Sequence, residues 1–419
     1  MSTQPALRLI HTSDWHLGQY FYSKSRAPEH HAFLHWLIEQ VKAHQVDAVI
    51  VAGDVFDTGA PPSYARELYN RFVVELRETG CQLVVLGGNH DSVATLNESR
   101  DLLACLNTRV IASSAGDENE QVLTLTRRDG TPGALLCAVP YLRPRDIQRS
   151  RAGESAQEKQ EALTEAIRAH YAQLYALAQQ RRETLGAALP IVATGHLTTL
   201  GASTSESVRD IYIGSLDAFP AGAFPPADYI ALGHIHRPQA VVKDGHIRYS
   251  GSPIALSFDE LGSEKSVCLV TLTPGEAAEV TLLPVPVYQP MRLIKGDIAQ
   301  IEQQLSAFAD YRGERPVWLD VEINSDAYLS EVQKRIQQQS EGLPVEIILL
   351  RRSKAQRANV LERQEKETLS ELSVDDVFER RLALETDGDE GLHDRIRRTF
   401  RTVVHELEQE LRQTEEDKA

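Results

Sequence analysis

Residues 47–57 read Asp-Ala-Val-Ile-Val-Ala-Gly-Asp-Val-Phe-Asp, an apolar run that stops at a glycine and is followed by carboxylates. An uninterrupted apolar run of this length suits a strand buried on both faces, as in a parallel sheet covered by helices. Gly53 lets the chain turn tightly and present the carboxylate of Asp54 just past the strand end. Upstream, Leu7–Ile10 reads as a short apolar strand, and Phe33, Leu34, Leu37, Ile38 and Val41 carry helical spacing within 31–41. Downstream, 64–76 predicts a helix and 83–86 another strand. This alternation predicts an α/β domain with parallel strands, in which functional groups gather beyond the carboxyl ends of the strands.

Polar motifs stand at those ends. Asp14-Trp15-His16 follows the first strand, Gly53-Asp54-Val55-Phe56-Asp57 the second and Gly88-Asn89-His90-Asp91 the third. Strand signals return at 191–193 and 229–232, followed by Gly195-His196 and Gly233-His234-Ile235-His236. Singly these motifs say little, because Asp-x-His and Gly-His occur by chance. As an ordered set they supply oxygen and imidazole donors and no thiolate, a mix suited to Mn²⁺ or a similar first-row ion. The candidate ligands are Asp14, His16, Asp54, Asn89, His196, His234 and His236, with Asp54 best placed to bridge two ions. Two divalent ions about 3.5–4 Å apart clamp a phosphoryl group and generate hydroxide at neutral pH. His90 is the candidate to hydrogen-bond the phosphate and protonate the leaving oxygen, with Asp57 as its orienting carboxylate. Asp91 is expected to hydrogen-bond backbone, and His11, His30, His31 and His35 to have no catalytic role. The motifs therefore predict a metal-dependent phosphoesterase.

Composition bounds the class. With 44 basic and 60 acidic residues the net charge is −16, which excludes a generally basic DNA-coating protein but not a nuclease whose charge is supplied locally by ions or by a partner. Cys81, Cys105, Cys137 and Cys268 are far apart and form no CxxC pair, so free thiols are expected rather than a disulfide framework or a zinc site. The N-terminus has no basic stretch leading into an apolar run, and no apolar run approaches the ~18 residues of a membrane span. A bacterial-type cytoplasm is the expected compartment.

Residues 111–140 read as further strands around a polar turn at Arg128-Asp129-Gly130, and 155–185 as a long helix. More strands follow at 247–249, 267–271 and 280–283. Residues 1–285 are thus expected to form a two-sheet sandwich flanked by helices. After the proline-punctuated stretch from Pro284 to Pro290, residues 286–352 predict a small α/β capping domain, with strands at 318–323 and 345–350 around a helix at 328–338. Residues 353–419 predict a polar linker and two amphipathic helices. Their stripes are Val374, Val377, Phe378 and Leu382, then Leu392, Ile396, Phe400, Val403 and Leu407.

The motif order resembles the calcineurin-like metallophosphoesterase superfamily and, within it, the Mre-type nucleases. The resemblance runs through His11–Gly18, Ala52–Asp57, Gly88–Ser92, Gly195-His196-Leu197, Tyr229–Arg237, Gly251-Ser252-Pro253 and Thr368–Val377. It implies one ion on Asp14, His16, Asp54 and His236, a second on Asp54, Asn89, His196 and His234, and a transition-state role for His90. Asp57 stands where some Mre-type relatives carry histidine. It further implies a Mn²⁺-favouring nuclease acting on double-strand ends, hairpins and single strands of DNA in repair, recombination and replication. The implied partner is an SMC-like, coiled-coil ATPase in a heterotetramer of two nuclease and two ATPase subunits. Dimerisation of the nuclease, docking of the C-terminal helices on the ATPase and a nucleoid-associated cytoplasmic location are implied as well. The alternatives are a phosphoprotein phosphatase, a small-ester phosphodiesterase and a non-catalytic DNA tether. Phosphatases of this fold usually carry Arg after the second Asp of the second motif and Glu at the fourth position of the third, where this chain has Thr58 and Asp91.

Overall fold

The computed structural model describes residues 5–147, 155–200, 202–203, 208, 218–324, 329–353, 378–379, 382 and 396–404. The chain divides into two compact units, Met1–Arg292 with Arg315–Trp318, and Leu293–Glu314 with Leu319–Ala419.

In the first unit the opening apolar run becomes the strand Ala48–Ala52, every residue of it buried. It pairs in parallel with Leu7–Thr12 on one side and Gln82–Leu86 on the other. The six-stranded sheet built around it runs Glu279–Pro284, Ser266–Leu272, Leu7–Thr12, Ala48–Ala52, Gln82–Leu86, Thr108–Ile111. Ser266–Leu272 joins Leu7–Thr12 antiparallel, so a late strand closes onto the first. A second six-stranded sheet runs Gln239–Ala240, Ile247–Tyr249, Tyr229–Gly233, Ile191–His196, Pro132–Cys137, Val122–Thr126, and its four central strands are parallel.

Side-chain alternation assigns the layers. Ile50 and Ala48 point between the sheets and pack with Leu9, Val84, Leu136, Val192 and Tyr229. Val49 and Val51 point the other way, onto an outer layer with Phe33, Leu37, Tyr69 and Phe72. Those aromatic and aliphatic groups come from the helices Ala27–Ala43 and Ser63–Glu78. On the far side, the helix Ala156–Leu185 opens with a capping box from Ser155 and Glu158 and stops at Gly186 in the left-handed conformation. Its stripe Leu163, Ile167, Tyr171, Leu174 and Ala178 covers the second sheet. The expected sandwich flanked by helices is present. Thr108–Ile111 is a strand that the sequence reading did not foresee. It lacks a long apolar run, but edge-strand pairing to Gln82–Leu86 organises it.

The second unit holds a three-stranded sheet in the order Met291–Gly296, Val317–Ile323, Val345–Arg352, with helices Ile298–Ser306 and Leu329–Ser340. Asp320 is buried in the central strand, and its two oxygens take hydrogen bonds from Arg351 at 2.7 and 3.2 Å. Met291–Gly296 and Ile298–Ser306 were also unforeseen; the strand's buried positions do not alternate strictly. By its contacts the first unit extends through Arg292, so the strand Met291–Gly296 begins in it and ends in the second. Of the two C-terminal stripes, Phe378, Leu382, Ile396, Phe400 and Val403 lie among the described residues. Phe378 stacks on Phe400 with ring centroids 3.7 Å apart, so the stripes meet each other there. Val374, Val377, Leu392 and Leu407 lie outside the described residues, as do Thr368–Val377 and the linker from 354. No helix among the described residues is long and apolar enough to cross a membrane.

Asp47 joins the two sheets at the amino ends of their strands. Its carboxylate accepts from the backbone N–H of Arg8 at 2.8 Å and from that of Arg128, in the turn of the second sheet, at 3.0 Å. Asp47→Ala leaves both amides without this acceptor and is expected to lower the unfolding free energy by about 1–3 kcal/mol, read from the denaturant midpoint. Metal binding, at the opposite end of Ala48–Ala52, should be unchanged in that variant.

Candidate metal centre

The motifs converge because the strands that carry them are parallel and central. Asp14 N–H donates to Gly53 O at 3.0 Å and His16 N–H to Asp54 O at 3.1 Å, which locks the first two motif loops together. Asp14, His16, Asp54 and His234 all have positive φ, at 53, 47, 51 and 92°. Holding non-glycine residues there costs on the order of 1–3 kcal/mol each, and such strain concentrates at functional sites. Glycines make the close approach possible: a Cβ on Gly53 would lie 2.2 Å from His196 Nδ1, and one on Gly88 would lie 2.1 Å from Asp54 Oδ1.

Two buried donor groups result. Asp14, His16 and His236 offer ligand atoms within 4.8 Å of one another, and so do Asp54, His196 and His234. Asp54 connects the groups. One of its oxygens accepts from the backbone N–H of His90 at 2.9 Å. The other lies 3.2 Å from His196 Nε2 and 3.7 Å from His16 Nε2. Asn89 Oδ1 sits 2.9 Å from His196 Nε2 and 3.2 Å from His234 Nδ1. Asp14 is oriented by Ser13 Oγ at 2.5 Å and by the backbone N–H of His234 at 2.9 Å. The seven expected ligands are thus brought together.

Electrostatics and polar accounting fit a cation. Burial disfavours the Asp54 carboxylate, but His196, His90 and His16 around it hold its pKa well below the usual range. Burial opposes charge on His196 as well, and Asp54 overrides it, raising that pKa to about 9. His234 is driven down by burial and by the neighbouring His196. Meanwhile Nε2 of His16 and Nε2 of His234 are buried with no hydrogen-bond partner. Buried polar nitrogens are rarely left so, and a divalent ion bound by imidazole and carboxylate accounts for them.

Asp57 stands beside His90 and contacts it through its backbone. Its Nδ1 donates to the backbone carbonyl of Asp57 at 2.7 Å. The Asp57 carboxylate meets His16 Nδ1 at 3.1 Å, although it also lies within 4.8 Å of a His90 nitrogen. Asp91 behaves as expected, accepting backbone N–H bonds from Gly88, Phe56 and Val55 at 2.8–3.1 Å. Burial and then the Asp54 charge push its pKa up to about 6. His11 and His30 are pushed down to about 3, chiefly by burial, and stay neutral. His11 spans the sheets by donating from Nε2 to Leu232 O and accepting from Tyr229 Oη at Nδ1. Arg143 donates to Asp91 O at 3.1 Å and lies over Tyr141, while Arg145 is exposed beside Asp146.

The sequence reading missed Glu260 and Lys265. Glu260 Oε1 lies 3.2 Å from His236 Nδ1 and Glu260 Oε2 lies 2.5 Å from Lys265 Nζ, both carboxylate oxygens being buried. Burial works against the charge on Glu260, but Lys265 and His236 hold its pKa well below the usual range. No motif announces either residue; Gly251-Ser252-Pro253 was the nearest signal, and Ser252 Oγ bonds both of them.

Residues 7–238 match the calcineurin-like phosphoesterase family, and residues 287–386 match the family described as type 5 capsule protein repressor C-terminal domain. The chain is 61% identical over 401 residues to the SbcD component of nuclease SbcCD from Escherichia coli strain K12, covering 96% of this chain and 98% of that one. The chain belongs to the SbcD branch of the calcineurin-like phosphoesterases. The SbcD component of Rhodobacter capsulatus is 37% identical over 358 residues, covering 81% of this chain and 86% of that protein. Among solved structures, a dimetal phosphatase from Danio rerio is similar with a TM-score of 0.38 and 12% identity, covering 68% of this chain and 100% of that one.

For an SbcD chain with this donor set, Mn²⁺ at 100 times its Kd should raise the unfolding free energy by about 2.7 kcal/mol, since the folded state alone assembles the site. Thermal melts with Mn²⁺ and with EDTA measure this. Asp54→Ala is expected to abolish the shift.

Proposed function

We propose that this chain is the nuclease subunit of an SbcCD-type complex, hydrolysing DNA phosphodiesters with two divalent ions, Mn²⁺ foremost. The observation that carries the reading is the Asp54 carboxylate, buried between imidazoles from both sheets. One ion is assigned to Asp14, His16, Asp54 and His236, the other to Asp54, Asn89, His196 and His234. When bound, such a pair neutralises phosphate charge and lowers the pKa of water.

The chain's own residues do the rest. The Asp57 carbonyl holds His90 Nδ1, which assigns proton chemistry to Nε2. His90 then hydrogen-bonds a phosphate oxygen and, as imidazolium, hands its proton to the departing sugar oxygen. Asp57 acts in two ways: its carbonyl orients His90 and its carboxylate orients His16. Buried strands behind the ligands keep bulk water from their rear, so the donors remain in place through turnover.

The substrate class is DNA: double-strand ends, hairpins and single strands. The partner is an SbcC-type SMC-like ATPase, in a heterotetramer of two nuclease and two ATPase subunits. Two nuclease chains form a dimer within it, and the complex works in the cytoplasm on the nucleoid. With a net charge of −16, this chain leaves much of the DNA affinity to that partner. The 286–352 region helps position DNA, and the helices in 353–419 dock on the ATPase.

His90→Ala should lower Mn²⁺-dependent cleavage of end-labelled linear and hairpin DNA by about 10²–10⁴-fold, with metal binding retained. Cleavage is assayed with and without the ATPase and ATP. Asp57→Asn keeps the carbonyl that holds His90, so its loss should be smaller than that of His90→Ala and should come with weaker metal binding. Turnover of a phosphoprotein without any DNA cleavage would contradict the assignment.

A further inference from the structure

The two donor groups differ in what stands behind their imidazoles. In the Asp14/His16/His236 group, each histidine has a carboxylate at Nδ1: Asp57 at 3.1 Å for His16 and Glu260 at 3.2 Å for His236. In the Asp54/His196/His234 group, His196 Nδ1 meets the backbone carbonyl of Ala52 at 2.9 Å. His234 Nδ1 faces Asn89 Oδ1, itself assigned to the same ion, and among the described residues neither ring nitrogen of His234 has a carboxylate behind it; its Nε2 makes no hydrogen bond. A carboxylate on the far nitrogen of a ligating histidine fixes the ring and strengthens it as a donor. A backbone carbonyl, as behind His196, fixes the ring with much less charge.

Glu260 is itself held. Oε2 takes Lys265 Nζ at 2.5 Å and the backbone N–H of Leu256 at 3.1 Å, with Ser252 Oγ at 3.3 Å. Lys265 Nζ also donates to Ser252 Oγ at 2.8 Å and to the backbone carbonyl of His236 at 2.9 Å. The same ammonium therefore grips the backbone of His236 and the carboxylate that orients its ring. A buried lysine is costly to desolvate, so its presence here needs a compensating arrangement of this kind. The network gives Gly251-Ser252-Pro253, for which the motif chemistry found no use, a place beside the ligands.

We propose that Glu260, clamped by Lys265 and Ser252, is a positioning residue for His236, and that this carboxylate backing makes the Asp14/His16/His236 site the tighter of two unequal divalent-ion sites, filled first. The inference rests on the two-ion reading given above. It predicts sequential loading, with the Asn89 site exchanging its ion more readily.

Mn²⁺ binding to the full chain, followed by calorimetry and by electron paramagnetic resonance, tests this. Wild type should take up two ions in two separable steps. Asn89→Ala should weaken the second step and leave the first. Glu260→Gln, which preserves shape and removes charge, should weaken the first step by about 10–100-fold, change the ¹⁴N hyperfine signature of the first ion and leave the second step in place. Should Glu260→Gln fail to fold with Lys265 unpaired, the double variant Glu260→Gln/Lys265→Met, which buries no net charge there, gives the same reading. Two equal steps in wild type, or equal weakening of both steps in the Glu260 variant, would overturn the inference while leaving the two-ion reading intact. A single ion at saturation would overturn both.

Discussion

The arrangement depends on one buried carboxylate. Asp54 stands at the end of the central strand of one sheet and faces His196, at the end of a central strand of the other, across 3.2 Å. An ionised carboxylate in such a place is tolerable only with compensating charge and hydrogen bonds. The His90 amide supplies a hydrogen bond to one oxygen, and His16 and His196 flank the other. Everything else follows from bringing two sheets close enough for that one group to be shared. The glycines before the ligands are the small residues that let the strand ends meet. A Cβ on Gly233 would come within 1.9 Å of Ala52 O.

The sandwich core supplies the stability that the strand ends use up. Four candidate ligand residues sit in left-handed backbone, and among the described residues Nε2 of His16 and of His234 is buried without a hydrogen-bond partner. Three apolar layers, one between the sheets and one outside each, hold the loops in place against that cost. Ties such as His11 to Tyr229 and Leu232, and Asp47 to Arg8 and Arg128, fix the sheets to each other at both ends of their strands.

Much of this was legible in the residues. Runs such as 48–52 announced buried parallel strands, and a polar motif after each one placed the donors at the carboxyl ends. Helical stripes such as Leu37 and Val41 were equally plain, because period is visible in sequence. Features that depend on spatial meetings were not. Nothing near Glu260 or Lys265 hints at His236, since the partners come together only when 258–265 folds back over the ligand loop. The Asp57 carbonyl, rather than its side chain, holds His90 Nδ1, and a backbone group leaves no mark in sequence. Positive φ at Asp14, His16 and His234 was equally hidden, because Asp and His are common elsewhere with ordinary φ. Met291–Gly296 escaped notice for want of clean alternation.

The most direct test of the central claim is anomalous diffraction at the manganese edge from crystals soaked in Mn²⁺. Two peaks about 3.5–4 Å apart, one beside Asp14 and His236, the other beside Asn89 and His196, with Asp54 between them, is the predicted result. A single peak, or two peaks that do not share Asp54, would contradict it.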